Sequence, residues 1–162
     1  MKTNITICWL RRDLRVEDNA ALFHALKKHT NVLPLFIFDT IILDQLENKS
    51  DRRVQFIHQE ITQLAYTLKT EYNSGLLCYY GKPLEIWKNI LSEYTVDAVY
   101  SNHDFEPYAI NRDEAVQELL AEQSIPFNTY KDHVIFEKSE VTKDDGLPYT
   151  VFTPYSKKWR AK

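Results

Sequence analysis

The sequence has very little glycine, and this excludes the common glycine-rich nucleotide-binding loops. Only three glycines occur in 162 residues, at positions 75, 81 and 146. Neither the G-x-G-x-x-G fingerprint of dinucleotide-binding folds nor the G-x-x-x-x-G-K-[ST] phosphate loop is present. A bound nucleotide or flat ring must therefore be held by side chains.

The chain also has only two cysteines, a small net charge and no long apolar run. Cys8 and Cys78 do not form a C-x-x-C motif, and the five histidines lack metal-ligand spacing, so we expect neither disulfides nor a metal site. A net charge of −3 gives no basic surface for nucleic acid. No apolar run approaches the ~18 residues of a membrane helix. We therefore expect a monomeric cytoplasmic protein without a membrane partner.

Short apolar runs alternate with amphipathic helical patterns along the chain. The runs predict five strands near 5–10, 32–38, 76–80, 98–100 and 127–130, and helices separate them. Alternation at this spacing is typical of right-handed βαβ units. The predicted fold class is α/β: a Rossmann-like doubly wound parallel sheet of five strands in the order 3-2-1-4-5, with helices on both faces. We expect this domain to occupy residues 1–133.

Charged side chains follow the first, second and fourth predicted strands. An arginine-rich loop spans 11–15, Asp39 follows the second strand, and two carboxylates lie within 104–106. Ligands of doubly wound sheets bind beyond the carboxyl ends of the strands, so this edge is the candidate site. The candidate cofactor-binding residues are Arg12, Phe36, Phe38, Asp39, Arg53, Asp104 and Glu106.

Simpler interpretations of the same residues remain open. The loop arginines also fit a solvated loop that pairs with its own carboxylates. The aromatic residues at 36 and 38 also fit the core of the sheet, and Arg112 or Lys131 can neutralise the two carboxylates without a ligand. No nucleophile elbow or Ser/His/Asp motif occurs, so we expect no catalytic residue.

Three segments of the chain resemble the DNA photolyase and cryptochrome family. WLRRDLRVEDN at 9–19 resembles the family's N-terminal signature, and YSNHDFEPY at 100–108 resembles its strand-four segment. PYTVFTPY at 148–155, followed by Trp159, is similar to the segment that leaves the family's first domain. The three motifs occur in the family's order over essentially the whole chain.

The resemblance implies an N-terminal α/β domain that holds an antenna pigment for a larger helical domain with FAD. The expected function is the light-harvesting domain of a deoxyribodipyrimidine photolyase, a carbon–carbon lyase that splits cyclobutane pyrimidine dimers in DNA. Residues 134–162 are expected to begin the linker to the helical domain, which this chain lacks. The helical domain is the expected partner, damaged DNA is bound only by the full-length protein, and this chain alone should be inactive.

The resemblance also bears on the pigment. Family members with a folate carry an Asn-Glu pair where this chain has Tyr108 and Ala109. The aromatic pair at 36 and 38, Asp39, Arg53 and the Glu106-Pro107-Tyr108 pattern look more like members with a deazaflavin or FMN. We therefore expect one of these rings, or an empty pocket in the isolated domain. Two other functions stay open: a cryptochrome photoreceptor domain and a stand-alone nucleotide-binding module.

Overall fold

Five parallel strands form a sheet at the centre of the molecule. The computed structural model describes residues 2–48 and 50–162. All four strand pairings are parallel, and the order is β3-β2-β1-β4-β5, so the predicted topology is confirmed. The strands are β1 (Asn4–Leu10), β2 (Val32–Asp39), β3 (Leu77–Gly81), β4 (Thr95–Asn102) and β5 (Phe127–Tyr130).

Helices cover both faces of this sheet, as predicted. Four long helices separate the strands, as the sequence predicts, whereas the four-residue helix after β2 and the C-terminal helix were not predicted. Within the described ranges no helix is both long and apolar enough to cross a bilayer. The helices are α1 (Ala20–Lys28), α2 (Thr40–Leu43), α3 (Arg52–Glu71), α4 (Pro83–Glu93), α5 (Pro107–Glu122) and α6 (Phe152–Ala161), with a 3-10 turn at Lys138–Glu140.

The alternation of side chains along β1 divides the core into two layers. Ile7 and Trp9 pack with α4 and α5 on one face, where Trp9 meets the Trp87 ring edge-on at 5.5 Å between centroids. Cys8 and Leu10 pack with α1 and α3 on the other face. Burial raises the pKa of the Cys8 thiol well above its ordinary value, so Cys8 is a packing residue and not a nucleophile.

A buried polar network joins the end of β4 to the loop after β1 and to the start of α1. Asn102 is fully buried, and its amide nitrogen donates to Asp13 Oδ2 at 2.7 Å and to Asn19 Oδ1 at 2.9 Å. Asn102 Oδ1 accepts the backbone N–H of Ala21 at 2.9 Å. Asn19 caps α1 by accepting the N–H of Leu22. Every polar atom of the Asn102 amide group therefore has a partner.

Residues 134–162 follow the sheet with one 3-10 turn and α6. The rings of Phe136 and Trp159 meet edge-on at 5.6 Å, and Lys158 donates to Asp144 at 2.9 Å. The segment thus makes contacts within itself. The domain boundary near residue 133 and the linker role of this segment remain predictions.

Replacement of Asn102 by alanine should destabilise the protein by about 3 kcal/mol, because it leaves Asp13 and Asn19 buried with lost partners. Urea unfolding followed by circular dichroism measures the free energy of unfolding. Asn111→Ala, on an exposed position of α5, is the matched control and should change it by less than about 0.5 kcal/mol. Equal stabilities of the two variants would contradict the role given to the network.

Candidate functional site

Loops from β1 and β4 meet at the carboxyl edge of the sheet and form an ion-pair cluster there. Arg12 Nε lies 3.3 Å from Asp104 Oδ2, and an Arg12 terminal nitrogen lies 2.8 Å from Glu106 Oε1. The side chains of Arg12 and Glu106 are 54% and 64% exposed, whereas that of Asp104 is 6% exposed. The structure thus brings together three of the seven predicted site residues.

Asp104 is held in its ionised form. Burial by itself raises the pKa of Asp104, but the charge of Arg12 and backbone hydrogen bonds outweigh this effect and hold the pKa below its ordinary value. The N–H of Phe105 donates to Asp104 Oδ1 at 2.8 Å, and Arg112 lies 4.0 Å away. The site therefore presents a buried hydrogen-bond acceptor beside an exposed guanidinium.

Asp39, the last residue of β2, is hydrogen-bonded to a side chain of α5. Its Oδ1 caps α2 by accepting the N–H of Ile41 at 2.9 Å, and its Oδ2 accepts the hydroxyl of Tyr108 at 2.5 Å. Burial and this hydrogen bond raise the pKa of the Tyr108 phenol, so Tyr108 stays protonated and donates. Each Asp39 oxygen keeps one further lone pair for a ligand.

Two buried arginines that we did not predict as site residues lie next to the ion-pair cluster. The guanidinium carbons of Arg11 and Arg112 lie 4.8 Å and 5.0 Å from the centroid of the Trp9 ring. Asp113 accepts from Arg11 at 3.1 Å and from Arg112 at 2.9 Å. Burial lowers the pKa of Arg11. The spacing of Tyr108 and Arg112, one helical turn apart on α5, is the sequence signal that places both at this edge.

The other three predicted residues make different contacts. The rings of Phe36 and Phe38 meet edge-on at 4.9 Å on the α3 face of the sheet, and Phe36 is buried in the core. Arg53 pairs with Asp51, the N-cap of its own helix, at 2.6 Å and is 75% exposed. In the part of the chain that the structure describes, no ion pair joins Arg53 to the cluster. Ligand contacts from these three side chains remain predictions.

A cleft of about 560 Å³ opens beside the cluster. This volume lies within the range of ordinary small-molecule sites. The cleft runs from the loop after β1, past the ion-pair cluster, to the loop after β5. Its lining residues are Arg12, Arg15, Asp104, Phe105, Glu106, Asp132 and His133.

Comparison with known proteins identifies the family. The family model described as DNA photolyase matches residues 6–162, so the chain belongs to the DNA photolyase family. The deoxyribodipyrimidine photo-lyase of Alkalihalophilus pseudofirmus is 37% identical over 159 residues, which are 93% of this chain and 32% of that protein. The chain therefore spans about a third of the length of this relative.

Two solved structures share the fold. A class III photolyase from Agrobacterium tumefaciens superposes with a TM-score of 0.82 at 26% identity, over 99% of this chain and 32% of that one. The archaeal photolyase from Sulfolobus tokodaii superposes with a TM-score of 0.75 at 32% identity, over 87% of this chain and 32% of that one. That structure contains two FAD molecules and implies a novel light-harvesting cofactor.

Tyr108→Phe should destabilise the protein by about 1–2 kcal/mol, because it removes only the hydroxyl that donates to the buried carboxylate of Asp39. Urea unfolding is the measurement. Tyr66→Phe, on the exposed face of α3, is the control and should leave the free energy of unfolding unchanged. If Tyr108→Phe behaved like this control, the hydrogen bond would be of no structural consequence.

The stabilising effect of Asp104 should depend on pH. Its folded-state pKa lies below its ordinary value, so its stabilisation is fully present above the unfolded pKa of ~4 and is lost as the pH falls through the lower folded value. The difference in unfolding free energy between wild type and Asp104→Asn should thus be largest at neutral pH and shrink in acid. Asp97→Asn, an exposed carboxylate on β4, should follow the wild-type pH dependence. A constant difference for Asp104→Asn would contradict the ion-pair account.

Proposed function

We propose that this chain is the light-harvesting domain of a deoxyribodipyrimidine photolyase and that the cleft at the carboxyl edge of its sheet holds a planar pigment. One observation carries the proposal: an exposed arginine and two carboxylates line a ligand-sized cleft in a chain that belongs to the DNA photolyase family. The family match supports the class of function, and the cleft supports the location.

The chemistry of the cleft suits the polar edge of a flat ring. Asp104 and Glu106 can accept hydrogen bonds from ring or ribityl groups, and Arg12 can donate to a carbonyl or a phosphate. Arg12 and Glu106 are more than half exposed, so they can exchange their mutual ion pair for ligand contacts at small cost. The ring of Phe105 adds an apolar surface to the lining.

Within this proposal, a deazaflavin or FMN fits better than a folate. Tyr108 and Ala109 stand where folate-binding members of the family have an Asn-Glu pair, and neither side chain is suited to contact a folate. Tyr108 already donates to Asp39, and Ala109 is buried and has no polar side-chain atom. The two FAD molecules in the Sulfolobus tokodaii photolyase support a flavin-type pigment in a relative with the same fold.

The activity of the whole protein is part of the proposal. The pigment would pass its excitation to reduced FAD in a helical domain, and that flavin would split cyclobutane pyrimidine dimers in DNA. The helical domain and, through the whole protein, damaged DNA are the proposed partners. We propose no catalytic residue in this chain, so it should not split dimers alone. The two free cysteines fit a reducing cytoplasm, and we propose a monomer there.

Titration of the purified chain with FMN, a deazaflavin and a methenyl-folate, followed by absorbance and fluorescence, tests the proposal. We expect saturable binding of one of the two flavin-type rings and poor binding of the folate. Asp104→Ala and Arg12→Gln should each weaken binding about tenfold or more, because each removes a charged hydrogen-bond partner. Arg52→Gln, an exposed arginine on the first turn of α3, is the control and should bind like wild type.

Arg53→Ala tests whether Arg53 contacts the pigment, as the sequence predicts, or stays paired with Asp51, as in the structure. If Arg53 leaves Asp51 to meet the pigment, this variant weakens binding, while circular dichroism stays unchanged. Tight folate binding without flavin binding would overturn the proposed pigment. Binding of ordinary nucleotides with no ring preference would favour a stand-alone nucleotide-binding module. Pigment binding in a longer polypeptide that does not repair dimers in light would favour a cryptochrome.

A further inference from the structure

Three potential metal ligands meet where the loops after β1 and β5 come together beside the cleft. They come from Asp13 in the first loop and from Asp132 and His133 in the second. One ligand atom from each residue, two carboxylate oxygens and one imidazole nitrogen, lies within 4.8 Å of the other two. Two ligands of one ion lie at most ~4.2 Å apart when each metal–ligand distance is ~2.1 Å, so a small movement of the side chains would bring all three atoms onto a single ion.

Both carboxylates are buried and retain accepting capacity. Asp13 is 1% exposed, and its Oδ1 accepts one hydrogen bond, from the N–H of Arg11 at 2.9 Å. The side chain of Asp132 is 4% exposed, and its Oδ1 accepts one hydrogen bond, from the N–H of Ala20 at 2.9 Å. A carboxylate oxygen has two lone pairs, so each Oδ1 atom has one left for a metal ion.

The imidazole of His133 supplies a second, independent observation. Its Nε2 atom is buried and has no hydrogen-bond partner among the described residues. A buried polar atom without a partner is costly, because it has lost water and gained nothing in exchange. Asp132 and His133 line the cleft at the carboxyl edge and Asp13 does not, so an ion would reach the cluster from the cleft side.

We propose that Asp13, Asp132 and His133 form a binding site for a divalent transition-metal ion such as Zn²⁺ or Mn²⁺. Two carboxylates and an imidazole are a donor set for these ions, and the imidazole disfavours Mg²⁺ and Ca²⁺, which prefer oxygen ligands alone. Water from the cleft completes the coordination. The ion would fasten the loop after β5 to the loop after β1. This proposal does not depend on pigment binding.

Arg15 influences the affinity of the proposed site for a metal ion. Its guanidinium lies 2.6 Å from Asp132 Oδ2 and is a fixed positive charge beside the proposed ion. Like charges at this range repel, so Arg15 lowers the affinity for a cation. Removal of the imidazole and removal of the guanidinium should therefore change metal affinity in opposite directions.

Isothermal titration calorimetry of the chelator-treated chain with Zn²⁺ tests this proposal, and Co²⁺ absorption spectra report the coordination geometry of the bound ion. We expect one site in the wild type, at least tenfold weaker Zn²⁺ binding in His133→Gln, and tighter binding in Arg15→Gln. His58→Gln, an exposed histidine on α3, is the control and should match wild type. Mg²⁺ should bind more weakly than Zn²⁺ to the wild type.

Circular dichroism and urea unfolding without metal show whether each variant is folded. A folded His133→Gln variant with wild-type Zn²⁺ affinity would contradict the proposal, as would Arg15→Gln affinity no higher than wild type. A wild-type chain that binds no Zn²⁺ would overturn it directly. Arg15 and His133 also line the proposed pigment cleft, so flavin titration of the same variants without metal measures any effect on pigment binding separately from Zn²⁺ affinity.

Discussion

The hydrogen bonds of the Asn102 side chain are the interaction on which the functional edge of this protein depends. Asn102 ends β4 at full burial and holds Asp13 of the β1 loop and Asn19 of the α1 cap. The backbone carbonyl oxygen of Asn102 separately accepts a hydrogen bond from the Arg11 guanidinium. One amide group thus fixes the end of a strand, a loop and the start of a helix relative to one another.

The candidate site is the exposed part of the surface that this network positions. Arg11 is drawn inward to Asp113 and to the Trp9 ring, while the next residue along the loop, Arg12, points to the cleft. Asp104 follows Asn102 by two residues and meets Arg12 at the same edge. Rigid buried contacts therefore hold a site whose outer residues are free to exchange partners.

The sequence predicted the parts of the molecule that depend on local patterns. Alternating strand and helix patterns predicted a parallel sheet with helices on both faces, and the position of Asp104 beyond β4 predicted its place at the edge. Contacts between distant residues have no local pattern: the meeting of Asp13 with His133 is of this kind. Arg53 is the opposite case. We predicted a long-range ligand contact for it, but in the structure its guanidinium pairs with a carboxylate only two residues away.

A crystal structure of the chain with bound FMN or deazaflavin is the most direct test of the account. The account predicts that the polar edge of the ring lies within hydrogen-bond distance of Arg12, Asp104 or Glu106, with the Asn102 network unchanged beneath it. A ring bound on another face of the sheet, or a cleft filled by the protein's own side chains, would contradict it.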